Sequence, residues 1–393
     1  MVHVVLTGGG TAGHTSPLLA TAEALRQACP AVELTCVGTP KGLETSVIPA
    51  AGLDLRLIPP VPLPRRLTPE LLKVPWRLHD AVRQAGAILA DVKADVVVGF
   101  GGYVSLPVYL AARRAKLPVV LHEQNALPGL ANKVAARFAV AVLTSFPSTP
   151  LPRAQCTGLP VRQAVAGLAA QGRAGERAAA RAGFGLPLDG PCLLVSGGSQ
   201  GARRLNQAAT GARDDLLAAG ISLLHVWGKQ NFPVDAAVVE NAGGARYVPL
   251  AFVDDMALAY AAADLMLARA GAATVTETAL VGLPGLFVPL PHGNGEQRRN
   301  AAPLIAAGAG LEIDDDALTP ARLLAAARPL LQDPARLAAM GQAAQRIVRP
   351  GAAQKVAGVV LAVAVGRPGI VAEPGAPTPG GRAQPGTTSE VEQ

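Results

Sequence analysis

Aromatic residues are scarce in this chain: Phe, Trp and Tyr make up 3% of its 393 residues. Proteins that bind single-stranded nucleic acid stack its bases on aromatic side chains, so this scarcity argues against such a partner despite a net charge of +7. Cysteine is also sparse. Cys29, Cys36, Cys156 and Cys192 form no CxxC pair and show no His–Cys metal spacing, which points to reduced thiols rather than a disulfide framework or zinc site. No apolar run approaches the ~20 residues that span a bilayer. The longest, 356–365, reads as a packed helix, and the first residues lack the pattern of a secretory signal. The expectation is a soluble protein, or one resting on a membrane surface. No Asp-x-Asp pair is expected at a strand end to hold a divalent cation, so no metal site is assigned.

What the chain has is apolar residues, at 50%, enough for two cores filled by Ala, Val and Leu. Short apolar runs bounded by Gly and Pro fall at 2–6, 33–37, 55–58, 96–99, 119–121 and 141–144. The pattern restarts at 192–196, 222–226, 246–248, 265–268, 285–288 and 311–313. Runs of this kind, alternating with amphipathic segments, predict parallel strands covered on both faces. The fold class expected is α/β: two Rossmann-like doubly wound domains facing each other across a cleft, with ligands beyond the carboxyl ends of the strands. Residues 1–160 form the first domain, 161–350 the second and 351–365 a C-terminal helix. The Pro/Gly/Ser/Thr-rich tail 366–393 reads as disordered.

The strand ends carry the chemistry. The first runs into Thr7-Gly8-Gly9-Gly10-Thr11-Ala12-Gly13-His14, with a helix expected from Ser16. Such a turn lets backbone N–H groups converge on an oxyanion or a hydroxyl, with a titratable imidazole at its lip. Gly8, Gly10 and Gly13 meet the G-x-G-x-x-G spacing. The acidic ribose ligand of a dinucleotide site is missing, however, because Val37-Gly38-Thr39-Pro40 stands in its place. A second glycine turn, Ser196-Gly197-Gly198-Ser199-Gln200-Gly201, opens the second half. Gly101-Gly102-Tyr103-Val104-Ser105 and His122-Glu123-Gln124-Asn125 follow strands of the first half. In the second, Arg269-Ala270-Gly271-Ala272-Ala273-Thr274-Val275-Thr276-Glu277 leads from a strand into a helix whose amides and dipole suit a diphosphate. Glu277 is placed to accept hydrogen bonds from a ribose diol. Gln297 and Asn300, at the next helix start, are neutral amides of the kind that hold sugar hydroxyls.

These stretches resemble the MurG-type N-acetylglucosaminyltransferase family. The resemblance is carried by Gly8 to His14 with Pro17, by Gly101 to Ser105 with Pro107, and by His122 to Asn125 with Pro128, Gly129, Asn132 and Lys133. It continues through Pro160-Val161-Arg162, Gly197 to Gly201 with Asn206, Phe252 to Met256, Arg269 to Glu277 and Gln297 to Ala301. It is collinear over roughly residues 2–350. It implies the GT-B fold and an inverting transfer from UDP-N-acetylglucosamine to lipid I, the undecaprenyl-diphosphate-linked muramyl pentapeptide. It also implies that no cofactor takes part, and that the protein sits peripherally on the cytoplasmic face of the cell membrane. Another UDP-sugar transferase of the same fold, or a UDP-N-acetylglucosamine 2-epimerase, is the alternative. Ala12 replaces the glycine usual in the family, and Glu296, Arg298 and Arg299 around Gln297, at positions that vary across it, are assigned no role.

Carried over residue by residue, the resemblance puts Val253 at the uracil, Glu277 at the ribose and Arg162 near the nucleotide. Ser199 and the turn Ala270, Gly271, Ala272, Ala273 and Thr274, followed by Val275 and Thr276, face the diphosphate. Gln297 and Asn125 face the sugar, and Thr11, Ala12 and Gly13 line the cleft. His14 is the candidate base, with Glu123 as alternative or orienter. Arg65, Arg66, Leu71, Leu72, Lys73, Trp76 and Arg77 mix cations with apolar residues as an anionic membrane surface requires. The plain alternative makes Trp76 a core residue and the cations a solvated face.

Overall fold

The computed structural model describes residues 1–61, 73–198 and 201–366. In the first half, β1 (His3–Thr7), β2 (Glu33–Gly38), β3 (Asp54–Leu57), β4 (Val96–Gly99), β5 (Val119–Glu123), β6 (Ala141–Thr144) and β7 (Ala154–Cys156) make one parallel sheet. Its order is 3-2-1-4-5-6-7. The second half repeats the plan with β8 (Cys192–Ser196), β9 (Ser222–Val226), β10 (Val239–Glu240), β11 (Arg246–Leu250), β12 (Leu265–Ala268), β13 (Gly285–Phe287) and β14 (Gly310–Glu312). Here the order is 10-11-9-8-12-13-14, with β10 antiparallel to β11. The central strands β4, β5, β8, β9 and β12 are buried along their whole length, which is why they read as unbroken apolar runs. The edge strands β7 and β10, short and mostly exposed, carry no such signal.

In each sheet the strand order reverses beside the first strand, between β1 and β4 and between β8 and β12. A crevice opens beyond the strand ends at such a reversal. The helices that follow these strands start there: α1 (Ala12–Ala28), α4 (Ser105–Arg114), α8 (Arg203–Ala218) and α10 (Ala272–Leu280). Four further helices bear on the site: α2 (Glu44–Ala50), α3 (Val74–Asp91) and α5 (Leu130–Ala135) in the first half and α9 (Met256–Ala262) in the second.

The chain crosses between halves through α6 (Gln163–Gln171) and α7 (Arg173–Phe184), whose Val165, Leu168 and Ala180 join the second core. Asp264 fastens this crossing. It pairs with Arg177 and with the buried Arg181, and accepts the Cys192 N–H at 2.8 Å. After α11 (Glu296–Ala306), α12 (Pro320–Leu331) and α13 (Pro334–Ile347), the last helix α14 (Ala352–Ala364) returns to the first core. There Val356, Ala357, Val360 and Val363 lie with Val4, Leu18 and Leu25. The stretch Pro334–Ala364 has a mean hydropathy of 1.3 over its most apolar window, enough by composition to cross a bilayer. It is broken between α13 and α14, and the apolar face of α14 is taken up by that core.

Candidate functional site

Helix α1 begins at Ala12, one turn earlier than the sequence reading placed it. Thr11 is the extended cap, and its carbonyl accepts from His14 N–H at 3.1 Å and Thr15 N–H at 3.2 Å. Alanine, a strong helix former, stands at position 12 and favours this start. His14 therefore lies in the first helical turn, half-buried, with Nδ1 3.1 Å from Thr11 Oγ1. The tautomer that donates from Nδ1 leaves a lone pair on Nε2. Burial lowers the His14 pKa to about 4, an effect partly opposed by the negative charge of Glu44. The imidazole is thus neutral at physiological pH. The glycine turn before it packs tightly on the loop after β4, because a Cβ on Gly102 would lie 2.6 Å from the Gly9 carbonyl oxygen.

In the second half α10 is capped by Gly271, which has no side chain to accept its N–H groups, so the first of them have no partner within the helix. Glu277, one turn further in, is buried, and its Oε2 accepts the Tyr260 hydroxyl of α9 at 2.7 Å. Burial raises the Glu277 pKa, while Tyr260 and Arg162 oppose the rise. Arg162 also donates to the Asp254 carbonyl at 3.3 Å, next to the buried Val253. Arg162, Val253 and Glu277, distant in sequence, therefore converge. Gln297 accepts the Leu290 N–H on Oε1 at 3.0 Å, which leaves its amide hydrogens to donate. Ser199 lies outside the described residues.

The structure corrects several readings. His122 and Glu123 are not beyond the strand but within β5, and both are buried. His122 Nε2 is 2.9 Å from the Gly158 carbonyl, and burial lowers its pKa to about 4. Glu123 accepts from Asn125 N–H at 2.9 Å, Gly129 N–H at 3.0 Å and Asn132 Nδ2 at 2.9 Å. Both of its oxygens are occupied by groups close by in the chain, and among these it holds the Asn125 backbone. Asn300 is fully buried and not open to a sugar. It accepts the Ala126 N–H at 2.8 Å and donates to Asn125 Oδ1 at 3.2 Å and to the Ala270 carbonyl at 3.3 Å, tying the two halves together.

An Asp-x-Asp does follow a strand: Asp314 to Asp316 come directly after Glu312 and Ile313 at the end of β14. Asp314 pairs with Arg298, and Asp315 pairs with Arg269 at 2.6 Å and Arg204 at 3.2 Å. These carboxylates balance arginines. Among the described residues, no group of three or more His, Cys, Asp or Glu side chains is placed to hold a metal ion. Two residues were missed altogether, Glu44 and Tyr260. An acidic residue opening a helix two positions after Gly42 was the only hint of Glu44.

Of the expected membrane surface, Arg65, Arg66, Leu71 and Leu72 lie outside the described residues. Lys73 precedes α3, while Trp76 and Arg77 lie in its first turn. Trp76 is 76% exposed, so it is no core residue. Beside it, α3 and α4 leave a groove of about 520 Å³ lined by Pro75, Leu78, His79, Val82, Leu110, Arg113 and Arg114.

Comparison with known proteins agrees with this fold. Residues 4–144 match the glycosyltransferase family 28 N-terminal domain, and residues 192–356 match its C-terminal domain. A Cutibacterium acnes protein is 56% identical over 93% of this chain and 98% of its own. It is described as a UDP-N-acetylglucosamine–N-acetylmuramyl-(pentapeptide) pyrophosphoryl-undecaprenol N-acetylglucosamine transferase. The crystal structure of Acinetobacter baumannii MurG superimposes with a TM-score of 0.70 at 30% identity, covering 92% of this chain and 99% of that one. The calicheamicin glycosyltransferase CalG4, at 18% identity and a TM-score of 0.62 over 92% of this chain and 98% of its own, shares the fold alone. By these matches the chain belongs to glycosyltransferase family 28 and, within it, to the MurG-type N-acetylglucosaminyltransferases.

Proposed function

We propose that the chain transfers N-acetylglucosamine from UDP-N-acetylglucosamine to the 4-hydroxyl of the muramyl residue of lipid I, giving lipid II. The observation that carries this reading is 56% identity, over nearly the whole chain, to a transferase named for that substrate pair. The site geometry fits. Arg162, Val253 and Glu277 converge as a nucleoside pocket, and the open N–H groups of α10 suit a diphosphate. His14 faces the transfer as base. The muramyl O4 bonds to C1 of the sugar on the side opposite UDP, and the C1–O bond to phosphate breaks. Its electron pair leaves with UDP, whose charge the α10 terminus stabilises, and the hydroxyl proton passes to His14 Nε2. In this reading the Gln297 amide and Asn125, held by Glu123 and Asn300, orient the sugar.

The acceptor is lipid-borne, so the first half works against a membrane. Lys73, Trp76 and Arg77 rest at the headgroup level of an anionic surface, together with Arg65 and Arg66. The α3–α4 groove gives the apolar part of that contact an edge of arginines. Each cation adds about 1 kcal/mol of attraction. Changing Arg65, Arg66, Lys73 and Arg77 together to Glu should abolish sedimentation with anionic vesicles and leave UDP binding intact. Wild-type sedimentation would place the membrane surface elsewhere. The activity itself is tested by UDP release and product analysis with and without a lipid I analogue. Acceptor-dependent release with a glycosylated product supports the reading, and conversion of the donor without acceptor overturns it.

A further inference from the structure

Three glycines from separate segments make room for one carboxylate. A Cβ on Gly9, in the first glycine loop, would lie 2.6 Å from Glu44 Oε1. One on Gly38, at the end of β2, would lie 2.7 Å from Glu44 Cγ, and one on Gly42 would lie 1.8 Å from Oε2. Glu44 itself is fully buried. Its Oε2 accepts the Gly10 N–H at 2.9 Å. Its Oε1 accepts the Thr39 N–H at 3.1 Å and the Thr39 hydroxyl at 2.9 Å. Three donors and no acceptor around it describe the site of an ionised carboxylate.

Gly10 sits at φ +90°, a conformation closed to most side chains, and its N–H direction is set by the bond to Glu44. The next residue, Thr11, caps α1 and contacts His14 Nδ1. The loop is pressed from the other side by Gly102. We propose that Glu44 is a positioning residue of the transfer: it pins the backbone of the first glycine loop and faces His14 with a fixed negative charge. The proposal rests on His14 as the base. Helices α2, α10 and α14, packed against α1, carry the titratable groups Glu44, Glu277 and Lys355, and β1 carries His3. Glu44 is the one whose charge acts on the imidazole, raising its proton affinity against the effect of burial. A stronger base takes the hydroxyl proton more readily.

The test is Glu44→Gln, which keeps the volume and removes the charge. Its readouts are the His14 titration midpoint by NMR, assigned against His14→Ala, turnover with a lipid I analogue, and UDP affinity by calorimetry. The midpoint should fall below its wild-type value, turnover should drop about tenfold, and UDP affinity should stay unchanged. An unmoved midpoint with turnover within twofold of wild type overturns the proposal. If His14→Ala retains full activity, the base assignment fails, while the midpoint still reports whether Glu44 acts on His14. Should Glu44→Gln not fold, Glu44→Asp keeps the charge and draws it back from Gly10. Its turnover should fall with a smaller change of midpoint, and wild-type turnover there would overturn the pinning role.

Discussion

The two halves share the order of six parallel strands and one place for the loops that follow them, yet they tie those loops down with groups of opposite charge. In the first half buried carboxylates accept loop N–H groups: Glu44 holds Gly10, and Glu123 holds Asn125 and Gly129. In the second half guanidinium groups donate to loop carbonyls: Arg162 to Asp254, Arg269 to Val288 at 3.1 Å, and Arg204 to Asp316 at 3.5 Å. A carboxylate uses up N–H groups and makes a neighbouring imidazole a better base. A guanidinium uses up carbonyls, leaves N–H groups open and adds positive potential. The first arrangement suits a neutral hydroxyl about to lose a proton, and the second suits a diphosphate. The shared fold puts the two sets of loops in matching places, and the charge of the ties is what distinguishes them.

The sharpest way to break this comparison is at the base. His14→Ala should lower turnover 10²- to 10⁴-fold with lipid I analogue. Turnover within a few-fold of wild type would take the proton acceptor out of the first glycine loop.

Acid is the next probe. His122 and His225 are fully buried, with pKa values lowered to about 4 and about 3 by burial. Each would titrate near 6.5 in the unfolded chain. Below about pH 6 the unfolded state therefore binds more protons than the folded one, and stability falls with falling pH. At roughly 1.4 kcal/mol per pH unit for each group, the two imidazoles should remove about 2–3 kcal/mol per unit between pH 6 and 4. Denaturant melts of the wild type set against His225→Asn across that range isolate the imidazole's share from the opposing proton uptake by the raised Glu277 carboxyl, and a difference independent of pH would contradict the neutral buried state. The His225 network joins Tyr247 at 3.1 Å and Asn206 at 3.2 Å, so the second half should share in this loss.

A smaller effect sharpens the other side. Glu277→Ala removes the carboxylate assigned to the ribose and should weaken UDP binding roughly 10- to 100-fold, about 1.5–3 kcal/mol. Unchanged affinity in a folded variant would take the ribose contact away from α10.

Much of this was legible in the sequence because strand ends at a topological switch announce themselves. An apolar run stops, glycines follow, and a helix starts. Gly8 to Gly13, Gly101 to Ser105 and Ala270 to Thr274 do follow β1, β4 and β12, although α1 already starts at Ala12. What was not legible depends on neighbours that the sheet order brings together. Glu44 has meaning only beside Gly9, Gly38 and Gly42, and its hydrogen bonds reach a residue more than thirty positions away. Asn300 looked like a sugar ligand until Ala126, Asn125 and Ala270 closed around it. The Asp-x-Asp after β14 was passed over in the sequence, and its Asp315 is accounted for only by the pairing with Arg204 and Arg269. Polar residues are read by type in a sequence but by partner in a fold.

The division of labour between the halves is tested most directly by titrating UDP into His14→Ala by calorimetry. If the first half supplies the base and the second the nucleotide site, the affinity will equal that of the wild type while turnover collapses. A tenfold weaker affinity, about 1.4 kcal/mol, would make His14 part of the nucleotide site and contradict the account.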